Sequence, residues 1–246
     1  MTTPLALALA LAAARRDRRF HAYADAERPD DPYLVQAEVA ALTGAAAAGW
    51  KTGFGPDRTP IAGPIFVSDM RANGGTYRLV PGETVLVEVE LAIRLARDLP
   101  PGRVYSIDDV LAATAEMLVG IELIGTRYAN ADAAPFAARL ADNLNNGAYV
   151  AGEGTRDFAG LARRGLPMRL WIDGALVADH PGAHPDGDPL TGVAAWASAQ
   201  ADRLGGLKAG QVITTGSLNK TAPLSGSASI EAELEGLGRV RLQIDA

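Results

Sequence analysis

Residues 84–93 read TVLVEVELAI, an apolar run interrupted twice by a carboxylate, at Glu88 and Glu90. The run is rich in β-branched residues and alternates with a period of two, which is the pattern of a β-strand. Successive side chains on a strand point to opposite faces, so Glu88 and Glu90 share one face, about 7 Å apart, while Val85, Val87, Val89 and Leu91 share the other. Two readings follow. Either the glutamates line the wet face of a half-exposed strand, or they grip one cation. A third acid, Glu122, lies in a second apolar run, LVGIELIG at 118–125. A lone carboxylate there is costly to bury unless it is paired or coordinates a metal.

The 246 residues are 48% hydrophobic, ample for one large domain or two small ones. A net charge of −6, with no basic patch carrying interleaved aromatics, argues against nucleic acid as a partner. Cysteine is absent, which excludes thiol catalysis, thiolate metal sites and disulfides. Lysine is scarce: Lys51, Lys208 and Lys220 stand against twenty arginines. The opening run MTTPLALALALAAARRDRRF has an apolar middle, but its arginines follow that middle instead of preceding it, and the stretch is too short to span a bilayer. It reads as an Ala/Leu helix over 5–17 lying on the domain of a cytoplasmic protein with no membrane partner.

Punctuation organises the rest. PYLVQAEVAALTGAAAAG at 32–49 reads as a helix opening after Asp31 with Pro32 in its first turn and ending at Gly49. The segment from Trp50 to Asn73 reads as loop and short strand, and TYRLV at 76–80 as a strand between two turns. Ser106 and Asp109 form an S-x-x-D cap for a helix expected to run to about Val119, ahead of the Glu122 strand. PFAARLADNL is a short helix, MRLWIDGALVAD a hairpin about Asp173-Gly174, HPGAHPDGDPL a loop, and TGVAAWASAQADRLGG a helix closed by glycine. The remainder is strand, with Val240, Leu242 and Ile244 alternating with Arg239, Arg241 and Gln243. Helices and strands do not alternate regularly, so the expected class is α+β with a largely antiparallel sheet or roll. A helical region at 1–48 is expected to pack on a β-roll domain at 49–246.

Taken in order, GWKTG at 49–53, SDM at 68–70, VEVELAIRLARDLP at 87–100, SIDDVLAATAEMLVGIELIGTR at 106–127, ADN at 141–143 and ITTGSL at 213–218 resemble the 2-keto-4-pentenoate hydratase and 4-oxalocrotonate decarboxylase family of the fumarylacetoacetate hydrolase superfamily. The resemblance implies a mixed, largely antiparallel β-roll decorated by helices, with a divalent metal at its mouth. It places three metal carboxylates on Glu88, Glu90 and Glu122, an active-site lysine on Lys51 and an acid/base aspartate on Asp69. All-oxygen ligands suit Mg²⁺ or Mn²⁺. Substrate contacts are expected at Asn145, Thr215 and Gly216, where hydroxyls and backbone N–H groups at a strand end can receive a carboxylate. Without the resemblance, Lys51 reads as a solvated turn lysine and Asp69 as a cap.

The implied substrate is a small 2-oxo or 2-hydroxy acid, and the implied reaction is hydration of a 2-hydroxyalka-2,4-dienoate in aromatic breakdown. Decarboxylation of a 2-oxo-3-enedioate is the near alternative; acylpyruvate hydrolysis and a silent partner subunit are more distant ones. The family also implies a homo-oligomer, or assembly with a sister hydratase or decarboxylase subunit. Three departures stand out. Gly125 and Thr126 precede Arg127, Leu144, Asn145 and Asn146 follow ADN, and His180 and His184 lie in a Pro/Gly/Asp-rich segment where they read as solvated or as lid residues. His21 carries no signal.

Overall fold

A computed structural model describes residues 4–219 and 223–246. Helix α1 spans Pro4–Asp17 and α2 spans Pro32–Thr43. Strands β1 (Ala47–Phe54) and β2 (Pro60–Phe66) form a hairpin, and after a 3-10 turn at Val67–Asp69 come the short strands β3 (Met70–Arg71) and β4 (Thr76–Arg78). The long strand β5 (Val85–Leu95) is followed by α3 (Ile107–Ala112), a second long strand β6 (Thr114–Ile124), α4 (Phe136–Ala141) and β7 (Asn146–Thr155). Strands β8 (Pro167–Ile172) and β9 (Ala175–Pro181), helix α5 (Leu190–Ala199), and strands β10 (Val212–Ser217), β11 (Pro223–Leu224), β12 (Ala228–Leu234) and β13 (Gly238–Asp245) complete the chain. No helix among the described residues is long and apolar enough to cross a membrane.

The strands form two sheets. The larger runs β2-β1-β10-β5-β6-β7-β3, with β11 also on β5, and the smaller runs β4-β13-β12-β8-β9. Most pairs are antiparallel; β1 with β10, β3 with β7 and β4 with β13 are parallel. Strands β2 and β3 stand at opposite ends of the larger sheet, yet only Val67–Asp69 separate them. So short a connection requires the sheet to curl until its two edges meet, which makes it a roll.

The roll has two faces of different character. Val85, Val87, Val89, Leu91, Ile93 and Leu95 of β5 face the main core, shared with Ile230, Ala232, Val240 and Leu242 of the second sheet and with Trp196 of α5. The opposite face buries Ile65, Ala92, Leu118, Tyr149 and Val212 in a separate small cluster. Helices α1, α2 and α4 pack on one another around Phe66 and Tyr128.

Several elements end earlier than their sequence suggests. Helix α2 stops at Thr43, where Gly44 takes the left-handed conformation at φ 66° and its N–H bonds back to Ala40 and Ala41. The alanines beyond it lead into β1, whose pairing with β2 and β10 outweighs the helix preference of alanine. Trp50 and Lys51 therefore sit within a central strand and not in a loop. Likewise α3 stops at Ala112, and the residues up to Val119 join β6 because they pair with β5 along its whole length. Helix α5 is closed by Gln200 and not by the later glycines: the Gln200 side chain donates to the carbonyls of Leu99 and Ala197 and accepts from Leu207 N–H. The hairpin at Asp173-Gly174 has φ 51° and 77° at its two central residues, as a type I′ turn requires.

One connection bears directly on function. Asn143, Leu144 and Asn145 all adopt left-handed φ angles, 53°, 55° and 59°, a strained run for residues other than glycine. It lies against Gly63 of β2, where a Cβ atom would stand 2.7 Å from the Asn143 carbonyl group. Gly63→Ala should therefore push the turn away and cost about 1–3 kcal/mol, read as a Tm lower by several degrees in thermal unfolding. An unchanged Tm would mean that the turn yields freely.

Candidate active site

Glu88 of β5 pairs directly with Glu122 of β6, and Glu90 pairs with Gly120. Strand alternation puts all three carboxylates on the inner face of the roll. Each offers an oxygen within 4.8 Å of the others. Glu90 and Glu122 are 0% exposed, so the wet-face reading fails. Among the described residues no well-formed hydrogen bond reaches Oε2 of Glu122, and the Glu90 carboxylate has only the nearby Gly216 N–H.

Lys51 reaches this cluster from β1, two strands from β5 and three from β6. Its ammonium lies 3.1 Å from Glu122 Oε1 and 3.9 Å from Glu88 Oε2, and donates to the Leu144 carbonyl at 3.4 Å. Burial disfavours the charge, but Glu122, Glu88 and Glu90 outweigh it and raise the lysine pKa, so the side chain is an ammonium. Burial raises the pKa of Glu90 well above the usual carboxylate range, with Glu122 and Glu88 adding to it and Lys51 and the Gly216 N–H giving partial relief. Burial also raises Glu88, partly offset by Lys51. Among the described residues, three carboxylates thus face one ammonium, with Glu90 and Glu122 fully buried and Glu88 and Lys51 partly exposed. Such an excess of buried negative charge is expensive unless a cation joins it. The orphaned Oε2 of Glu122 and the hard, all-oxygen donor set fit Mg²⁺ or Mn²⁺.

The surroundings hold this cluster in shape. Asn146 donates to Glu122 Oε1 at 2.9 Å. Arg127 clamps both ends of the left-handed turn, through Nε to Asp142 Oδ1 at 2.6 Å, Nη2 to the Asp142 carbonyl at 2.8 Å, and Nη1 to the Asn146 carbonyl. The two departures before Arg127 serve the same turn: Gly125 N–H donates to Asn145 O, and Thr126 Oγ1 to Asp142 Oδ2. Gly125 is also required because a Cβ would stand 2.8 Å from the buried Glu83 carboxylate. Tyr149, fully buried across from Glu122, fills the space left by Gly120, and burial followed by the Glu90 charge keeps its phenol protonated. Tyr149 had no motif to announce it; Arg127 closes the 106–127 string and Asn146 follows ADN, but neither was given a role in the site.

Thr215 and Gly216 form a bulge in β10 opposite Leu91, between the pairs Thr214–Ala92 and Ser217–Glu90. Asn145 Oδ1 is buried without a partner in the turn beside Lys51. Asp69 lies apart. Its carboxylate is bound by Arg15 at 2.9 Å in the 3-10 turn, on the wall of a cavity of about 790 Å³ shared with Arg127 and Tyr77. Among the described residues no hydrogen bond or ion pair joins Asp69 to Lys51 or to the three glutamates. His21 pairs with Glu27 at 2.9 Å and His180 is exposed, whereas His184 reaches Thr215 O at 2.8 Å.

The curled sheet with a carboxylate triad at its mouth defines a class of protein that comparison identifies. The family described as fumarylacetoacetate hydrolase, C-terminal, matches residues 11–245, and the chain belongs to it, within the group of 2-keto-4-pentenoate hydratases and 4-oxalocrotonate decarboxylases. A 2-keto-4-pentenoate hydratase of Burkholderia vietnamiensis strain G4 is 31% identical over 183 residues, covering 74% of this chain and 69% of the relative. The TodF product hydratase of Pseudomonas putida F1 is 29% identical over 181 residues, 74% of this chain and 67% of its own. The solved structure of 4-oxalocrotonate decarboxylase from Pseudomonas putida G7, complexed with magnesium and adipate, shares the fold with a TM-score of 0.81 at 24% identity, over 98% of this chain and 97% of its own.

The raised carboxylate pKa values carry a stability signature with a definite sign. A glutamate whose pKa is higher folded than unfolded holds its proton more tightly in the native state, so its contribution to stability falls as pH rises from the ordinary value of 4.5 toward the raised one. Chelator-treated wild type, scanned for Tm from pH 5 to 8, should lose stability relative to Glu90→Gln as pH rises. Parallel curves for the two proteins would show that Glu90 is not held in a charge-hostile site.

Proposed function

We propose that this protein is a divalent-metal-dependent hydratase that adds water to a 2-hydroxyalka-2,4-dienoate of the 2-oxopent-4-enoate type, giving a 4-hydroxy-2-oxoacid. The observation that carries the reading is the fully buried Glu90 carboxylate beside Glu88, Glu122 and the Lys51 ammonium. The names of the relatives at about 30% identity support the reaction. A water-activating His–Glu pair, which acylpyruvate hydrolysis would call for, does not occur at this cluster: the His21–Glu27 pair lies beside Tyr128 instead.

Glu88, Glu90 and Glu122 would hold Mg²⁺ or Mn²⁺, which supplies a Lewis acid for the negative charge that develops on the substrate's 2-oxygen. The rest falls to the chain's own groups. The reaction first moves a proton onto C5 of the dienol as the 2-hydroxyl loses one, giving a 2-oxo-3-ene. Water then adds its oxygen at C4 and a proton arrives at C3. Lys51, charged and aimed into the triad, steadies the substrate's carboxylate or 2-oxygen and can return a proton there. The family resemblance gives the proton transfers at the distal carbons to Asp69, whose carboxylate is held by Arg15 apart from the triad. The Gly216 N–H and the Thr215 region receive the substrate carboxylate, and Asn145, with its free amide oxygen, faces the substrate's distal part.

The test is to incubate Mg²⁺- or Mn²⁺-loaded protein with a panel of 2-hydroxydienoates and 2-oxo-3-enedioates, following ultraviolet absorbance and CO₂. Loss of dienoate absorbance without CO₂ is the expected result. Stoichiometric CO₂ would make the protein a decarboxylase instead, and no consumption of either class would overturn the reading. Lys51→Met should lower kcat/KM by roughly two orders of magnitude, since a charged group acting in the transition state is lost.

A further inference from the structure

The loop before α5 contains one histidine that the mechanism above does not use. His184 Nδ1 accepts from the Asp186 N–H at 3.1 Å, so in the neutral ring the proton sits on Nε2, which donates to the Thr215 carbonyl at 2.8 Å. The loop is fixed around that ring. Ala183 N–H donates to Leu218 O, Gly187 N–H to the His184 carbonyl, and Asp186 pairs with Arg58 at 2.7 Å, whose guanidinium lies over Phe54 at the end of β1.

The group that His184 holds is a single peptide plane. The Thr215 carbonyl and the Gly216 N–H belong to the same amide, so fixing the carbonyl outward toward His184 turns the N–H inward, toward the face where Glu90 lies. Gly216 sits at φ 112°, a conformation open to glycine, and a Cβ there would stand 3.1 Å from His184 Nε2. Glycine makes the close approach possible, but it also leaves this peptide free to rotate. The Thr215 side chain does not prevent rotation, because its Oγ1 is committed to Leu91 O at 2.7 Å on the neighbouring strand.

We infer that His184 is a positioning residue that locks the Thr215–Gly216 peptide with its N–H directed into the metal and carboxylate site. The histidine thereby couples the 182–189 loop to the end of the site that receives a substrate carboxylate. This inference rests on the proposed function for the identity of the ligand, but not for the existence of the lock.

The experiment uses three full-length proteins: wild type, His184→Phe, which keeps a ring but removes the donor, and His184→Gln, which keeps a donor without the ring. His184 is half-buried, and circular dichroism checks that both variants fold. In metal-free protein, amide hydrogen exchange over 213–218 should be about tenfold faster in His184→Phe, the worth of one hydrogen bond, and largely restored in His184→Gln. With Mn²⁺ present, calorimetry should show oxalate, a two-carbon dicarboxylate, binding His184→Phe about tenfold more weakly, with the same rescue. The lock is overturned if His184→Phe exchanges like wild type, or if His184→Gln is no better than His184→Phe. Failure of wild type to bind oxalate would count against the proposed function alone, because the exchange measurement needs neither metal nor substrate.

Discussion

Everything in this site follows from gathering three carboxylates, two of them fully buried, on one face of a sheet with, among the described residues, a single ammonium to meet them. Strand geometry makes the cluster unavoidable: alternation puts Glu88 and Glu90 on one side, and the antiparallel register sets Glu122 beside Glu88. Closure of the roll then leaves Glu90 and Glu122 with no exposed surface. The remaining negative charge suits the cluster to a divalent cation, the role that the proposed function gives it.

The rest of the architecture supplies room and rigidity for that cluster. Gly63 lets the left-handed turn approach β2, Gly120 leaves space for the Tyr149 ring, and Gly125 yields to Glu83. Arg127 binds the turn at both ends, so the Leu144 carbonyl meets Lys51 and the Asn146 amide meets Glu122. The strain of three consecutive left-handed residues is thus held in place by a buried charged clamp and by a missing side chain.

The carboxylate triad was legible in the chain because a period of two is a local property, and acids inside apolar runs stand out against it. The α+β class, the Asp173-Gly174 hairpin and the alternation of β13 were readable for the same reason. Lys51 was recognisable but misplaced, since the glycines and prolines around 50–73 read as loop, whereas pairing with distant β10 makes that segment a strand. The alanines at 45–48 and the residues after Ala112 misled in the same way, their helix preference yielding to long-range pairing. The roles of Asn146, Arg127 and Tyr149 could not be read from the chain because they depend on a turn conformation and on cross-strand neighbours. Asp69 carries its motif, yet its visible partner is Arg15 of α1, a contact across 54 residues that no local pattern encodes.

The central claim, that Glu88, Glu90 and Glu122 together hold one divalent cation, is tested most directly by anomalous diffraction from crystals soaked in Mn²⁺. The account predicts one strong peak bonded to oxygens of all three carboxylates, with Lys51 at its edge. A peak elsewhere, or none within the triad at saturating Mn²⁺, would contradict it.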